Sequence, residues 1–115
     1  SVASRGLGDV YKRQVLDCEK LLRDNGLAER IMIDCSHDNS NQDYRNQGKV
    51  IDDIKSQIIS GNKSIFGVML ESNLSSGKQK ILDNIDDMRY GVSVTDGCID
   101  WEETESIIKS LSEAR

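Results

Sequence analysis

The chain has 115 residues, 20 of them acidic and 15 basic, for a net charge of −5. That size suits one small domain, and the acidic balance argues against a nucleic-acid-binding surface. No apolar run approaches the ~20 residues that span a bilayer and no signal-peptide pattern opens the sequence, so no membrane partner is expected. Three cysteines, Cys18, Cys35 and Cys98, match neither a disulfide framework nor a CxxC zinc site, which points to a reducing cytoplasm.

The first stretch, SVASRGLGDVYKRQ, is basic and unlike the rest. Its Gly6-Leu7-Gly8 invites a phosphate-loop reading, but no strand precedes it. Ser4 to Gln14 instead reads as one translated frame of a transposon adaptor used in preparing sequencing libraries. Residues 1–14 are therefore expected to be a cloning or assembly scar, set apart from fold reasoning, and residues 15–115 the native part.

From Val15 the pattern is legible. Val15, Cys18, Leu21 and Leu22 predict one face of a helix, stopped at Asn25-Gly26. Ile31-Met32-Ile33 predicts a buried strand, followed by a polar loop from Ser36 to Asn41. Val50, Ile51, Ile54, Ile58 and Ile59 share a face of a second helix over 47–60, ended by Gly61. Ile65 to Leu70 predicts a second continuous apolar strand. Glu71 to Tyr90 lacks strong periodicity and leads to a short run, Gly91 to Thr95. Asp100 with Glu103 three residues on predicts a capped helix through Ile107, Ile108 and Leu111. Apolar strands separated by a helix imply an α/β fold with parallel pairing. Two or three such strands leave open sheet edges, so the sequence reads as a piece of a larger α/β protein.

Chemistry-bearing residues fall at the strand ends. His37 follows the first strand, Glu71 the second and Asp96 the short run ending at Thr95. Neighbouring strands lie ~4.8 Å apart, so these side chains could reach one point. Parallel α/β folds gather functional groups at that rim. Imidazole with two carboxylates suits manganese, iron or zinc. The plainer alternative stays open: a loop histidine, a glutamate at a loop start and an aspartate in a turn. Parity puts Gly67 and Met69 on the Glu71 face, and Phe66, Val68 and Leu70 on the face expected under helices. Asp34, inside an apolar strand, needs a hydrogen-bond partner if buried. Cys35 and Cys98 read as small core residues, Trp101 as a packing anchor, and Asp83, Asp86 and Asp87 as a solvated face. Lys49, Lys55 and Lys63 form no tight basic patch.

The stretches IMIDCSHDNSNQDYRNQ, IFGVMLESNL and YGVSVTDGCIDWEET resemble, in order and spacing, the closing segment of class I 3-deoxy-D-arabino-heptulosonate 7-phosphate (DAHP) synthases. The resemblance runs from about Val15 to the C-terminus. It implies the last two strands, with their helices, of a (β/α)₈ TIM barrel, incomplete as a domain. It also implies a cytoplasmic, homo-oligomeric parent enzyme of the shikimate pathway, which leads to the aromatic amino acids. That enzyme condenses phosphoenolpyruvate with erythrose 4-phosphate and releases phosphate. By the same resemblance His37 of the SHxNS motif, Glu71 of VMLES and Asp96 of VTDGC ligate a divalent metal ion. His37 would also approach phosphoenolpyruvate, and Asp96 would hold an erythrose 4-phosphate hydroxyl or move a proton. The family's fourth ligand, a cysteine from an early strand, has no counterpart here, nor do its phosphate-binding basic residues. The chain alone is therefore expected to be inactive. Two alternatives remain: a complete small α/β protein that binds a metal or a partner, and the related synthase that uses arabinose 5-phosphate.

Overall fold

The computed structural model describes residues 7–114, with side chains from Lys12 onward. Gly6 and the rest of 1–6 in the expected adaptor segment lie outside the described residues. The element order is α1 (Leu7–Asp24), β1 (Ile31–Asp34), α2 (Gln47–Ile59), β2 (Ile65–Met69) and α3 (Trp101–Ser112), with single 3₁₀ turns at His37–Ser40, Tyr44–Asn46 and Ile85–Asp87. This is the helix–strand–helix–strand–helix order expected from the sequence. The junction between Gln14 and Val15 falls inside α1.

Val15 is buried, and Cys18 and Leu22 pack beside it against the core, an i, i+3, i+7 stripe. Leu21 lies off that stripe and is 65% exposed, contrary to its expected place on the apolar face. The helix ends before Gly26, whose φ of +69° is the left-handed conformation that glycine adopts without penalty. In α2, Val50, Ile51 and Ile54 are buried and Ile58 packs partly against them, while Ile59 turns outward. These residues join Ile31, Ile33, Cys35, Ile99 and Ile107 in one cluster.

The strands pair in parallel, as a helical crossover requires. Ile31 faces Ile65, but Met32 faces Gly67, so Phe66 is an extra residue in β2. This irregularity inverts the side-chain alternation. Ile65, Val68 and Leu70 all pack against the core, whereas Phe66 is 57% exposed. The expected burial of Phe66 thus fails at the bulge, while the pairing beyond it keeps Gly67 and Met69 in register with β1. Met32 is also exposed, so these strands are not covered on both sides as their apolar runs suggested.

Among the described residues the sheet has two strands. The Gly91–Thr95 run is no third strand: it pairs through an isolated bridge between Ser93 and Lys78. Segment 72–99 is tied together by further bridges, Ser72 with Ile99 and Gly77 with Cys98. Asp100 caps α3 by accepting the Glu103 N–H at 2.8 Å, as its spacing predicted. Thr104 and Ile107 are the buried residues of α3; Trp101 is 53% exposed and does not anchor the packing. Asp83, Asp86 and Asp87 are exposed. No helix among the described residues is long and apolar enough to cross a membrane.

Candidate functional site

The loop after β1 folds back at once. His37 takes φ +39°, uncommon for a residue with a side chain, and opens a 3₁₀ turn. Local hydrogen bonds hold it there. Asp34 Oδ1 accepts the Ser36 N–H at 2.8 Å, and the Asn39 amide donates to the Asp34 carbonyl at 2.7 Å. The His37 carbonyl accepts from Ser40 Oγ at 3.0 Å and from the Gln42 N–H at 2.8 Å. The imidazole is then fixed at both ends. Its Nδ1 lies 2.7 Å from Asp34 Oδ2, and its Nε2 lies 3.3 Å from Asp96 Oδ2 and 3.7 Å from Glu71 Oε1.

Glu71 and Asp96 arrive from two segments joined to each other. The Ile99 N–H donates to the Glu71 carbonyl at 3.0 Å, and the Asn73 N–H donates to the Ile99 carbonyl at 3.0 Å. Gly77 and Cys98 exchange backbone bonds of 2.8 and 3.1 Å. Between them Gly97 lies under the Tyr44 ring, so closely that a Cβ there would collide with it. One side-chain ligand atom from each of His37, Glu71 and Asp96 falls within 4.8 Å of the others. The three residues singled out in the sequence are thus brought together, from positions 25 to 59 residues apart in pairs.

The electrostatics favour positive charge at this point. The Asp34 hydrogen bond, then that of Asp96, holds the imidazole pKa above its ordinary value. Two carboxylates share the spot with a single imidazole, an arrangement a divalent cation would neutralise. One nitrogen and two carboxylate donors fit manganese, iron or zinc, so the donor set passes the chemical test for such an ion. With its Nδ1 proton directed at Asp34, a neutral His37 presents the Nε2 lone pair to the acidic pair. Asp96 is the most open of the three and Glu71 the most sheltered. A cleft bordered by Tyr44, Arg45, Lys78 and Gly97 leads to His37 and Asp96.

The cysteines near the site stand apart from this cluster. Cys35 is fully buried, and burial, with the Asp34 carboxylate second, pushes its thiol up to about 12. Cys98 is buried and its thiol is also shifted up, chiefly by desolvation; its Sγ donates to the Asp96 carbonyl at 3.4 Å. Both therefore behave as the small core residues the sequence suggested.

Two contributors were not assigned to the site from sequence. The sequence shows Asp34 only as a polar residue that needs a partner, and that partner is His37. Gln47 is completely buried and bonds the main chain of Glu71. Its signal was present: with Val50, Ile51, Ile54 and Ile58 it occupies the apolar stripe of α2, a polar residue where the pattern calls for an apolar one.

Side chains gathered beyond the C-terminal ends of parallel strands are the arrangement of α/β enzymes. Comparison with known proteins gives the family. The chain belongs to the DAHP synthetase I family, whose model matches residues 2–109. It is 46% identical over 97 residues to the Tyr-sensitive phospho-2-dehydro-3-deoxyheptonate aldolase of Escherichia coli, covering 84% of this chain and 27% of that protein. It is 45% identical over 108 residues to the phenylalanine-inhibited enzyme of Saccharomyces cerevisiae, covering 89% and 29%. The phospho-2-dehydro-3-deoxyheptonate aldolase structure from Francisella tularensis superposes with a TM-score of 0.83 at 46% identity, over 90% of this chain and 29% of that one. The chain thus spans less than a third of the length of these relatives.

Proposed function

We propose that residues 15–115 are the C-terminal, ligand-bearing part of a DAHP synthase: the last two strands and helices of a (β/α)₈ barrel. Residues 1–14 are read as adaptor sequence, a reading that sequencing the source DNA across the Gln14–Val15 junction tests. The parent enzyme condenses phosphoenolpyruvate with erythrose 4-phosphate and releases phosphate, in the cytoplasm and as a homo-oligomer. The convergence of His37, Glu71 and Asp96 beyond two parallel strands, in a chain of this family, is the observation that carries the proposal.

The three residues would hold a divalent cation, which supplies Lewis-acid stabilisation for negative charge developing on an aldehyde oxygen. Asp34 keeps the His37 ring oriented, with Nε2 toward the carboxylates. Asp96, open to the cleft, would hold a substrate hydroxyl or accept its proton. His37 borders the same cleft and is placed to meet the phosphoenolpyruvate side of the reaction. The more sheltered Glu71 serves as a ligand only. The open sheet edges and exposed Met32 and Phe66 are where the remaining barrel would pack, so the chain alone is read as inactive.

The test is a chimera. Residues 15–115 replace the matching segment of the Escherichia coli relative, and phosphate release from the two substrates is measured with Mn²⁺. Cation-dependent turnover, abolished by His37→Ala or Asp96→Ala, supports the proposal. A folded chimera without turnover, or one unaffected by these changes, rejects it.

A further inference from the structure

We infer that Gln47 is a positioning residue for Glu71, acting through the Glu71 main chain. This rests on reading His37, Glu71 and Asp96 as a cation site. The side-chain amide of Gln47 makes two bonds to one residue: Nε2 donates to the Glu71 carbonyl at 3.0 Å, and Oε1 accepts the Glu71 N–H at 2.8 Å. A side chain thereby reproduces what a neighbouring strand would supply.

The need for it follows from where the strands part. The Cys35 N–H donates to the Met69 carbonyl at 2.9 Å, and then β1 turns away into the His37 loop. Two residues on, Glu71 has lost its β1 neighbour on that side. Gln47 fills the gap, while the Ile99 N–H approaches the same Glu71 carbonyl from the segment that carries Asp96. A polar side chain with no exposure is costly unless bonded, and here both ends of the amide are used.

The placement of Gln47 in the chain adds a second consequence. It opens α2, ten residues after His37, and the preceding Asn46 donates from Nδ2 to the Ser40 carbonyl at 2.9 Å. The turn holding His37 and the strand end holding Glu71 are therefore tied to one helix start. Gln47 fixes the spacing between the two side chains through the Glu71 main chain. Cutting this link frees Glu71 to drift from His37 Nε2.

The experiment uses the 115-residue chain with Co²⁺ alone as the probe, read by its visible absorption, and with amide exchange of the cation-free chain. Gln47→Met keeps the volume and removes both bonds. Gln47→Glu keeps the acceptor for the Glu71 N–H and sets a carboxylate oxygen against its carbonyl. Ile54→Val, a substitution in the buried core that removes no hydrogen bond, controls for general loosening. Gln47→Met is expected to weaken Co²⁺ binding by about tenfold or more, the scale of outer-shell losses. Gln47→Glu should fall between it and the wild type, and Ile54→Val should bind as the wild type does. The Glu71 amide should exchange faster in Gln47→Met while the Cys35 amide stays protected. Unchanged Co²⁺ affinity in Gln47→Met, or an equal loss in Ile54→Val, overturns the inference. So does unchanged exchange at Glu71. A wild-type chain that takes up no Co²⁺ rejects the cation reading instead, and the exchange rates still decide whether Gln47 holds Glu71.

Discussion

The Asp34 carboxylate lies 2.7 Å from Nδ1 of His37, and this contact decides which ring nitrogen faces Glu71 and Asp96. Outer partners of this kind set ring orientation and donor strength, and losing one typically costs 10- to 100-fold in affinity. Asp34→Asn should therefore weaken Mn²⁺ binding by roughly tenfold or more while the far-ultraviolet circular dichroism stays the same. Calorimetric titration of both proteins checks this, and equal affinities would remove Asp34 from the site.

Proton competition sets the pH dependence. His37 has a raised pKa because the Asp34 and Asp96 carboxylates favour its protonated form. A protonated Nε2 has no lone pair to give, so cation affinity should fall as pH is lowered, starting above the ordinary imidazole value of 6.5. For the cation-free chain the sign is opposite. The raised pKa contributes stability below the unfolded-state value, and that contribution is lost as pH rises through the folded-state value. Affinity measured across pH 5.5 to about 8.5 should rise with pH, and a flat profile would exclude His37 as a ligand.

Cys35 should be inert where an ordinary thiol reacts. It is fully buried and its thiol is shifted up to about 12. Alkylation with iodoacetamide at about pH 8 should label Cys18, which is half-buried, ahead of Cys35. The same shift has a stability consequence. The unfolded chain ionises near the ordinary value of 9.0, so folding stability should decline as pH rises from there. Peptide mapping after brief labelling gives the order of reaction.

Gly97 has no room for a side chain, because a Cβ would meet the Tyr44 ring. Gly97→Ala should cost about 1–3 kcal/mol through forced repacking and weaken cation binding by shifting Asp96. Trimming the ring in the Tyr44→Ala/Gly97→Ala double variant should recover part of that affinity. Thermal melts with parallel titrations test the pair. A neutral Gly97→Ala would show that the contact does not constrain Asp96.

Much of this arrangement was legible in the sequence. The element order, the parallel pairing and the Asp100 cap followed from periodicity and local chemistry, as did the meeting of His37, Glu71 and Asp96 beyond the strand ends. What escaped depended on tertiary detail. The extra residue at Phe66 flips the alternation within β2, and no local pattern marks it. Trp101 reads as a core residue by type and Leu21 by its place beside Leu22 on the apolar face, but the actual helix phase turns both outward. Thr104 is buried instead, with its hydroxyl bonded to the Asp100 carbonyl at 2.8 Å and paired with Ser72. Asp34 and Gln47 were visible as polar residues in apolar settings, but their partners depend on how the strand ends splay.

The proposed joining of His37, Glu71 and Asp96 in one cation site is open to a direct test. Electron paramagnetic resonance counts free Mn²⁺ directly, so titrating the chain and its His37→Ala, Glu71→Ala and Asp96→Ala variants tests it most plainly. One bound Mn²⁺ per wild-type chain is expected, with a marked loss of affinity in each variant and unchanged circular dichroism. Absence of binding in the wild type, or equal binding in all four proteins, would contradict it.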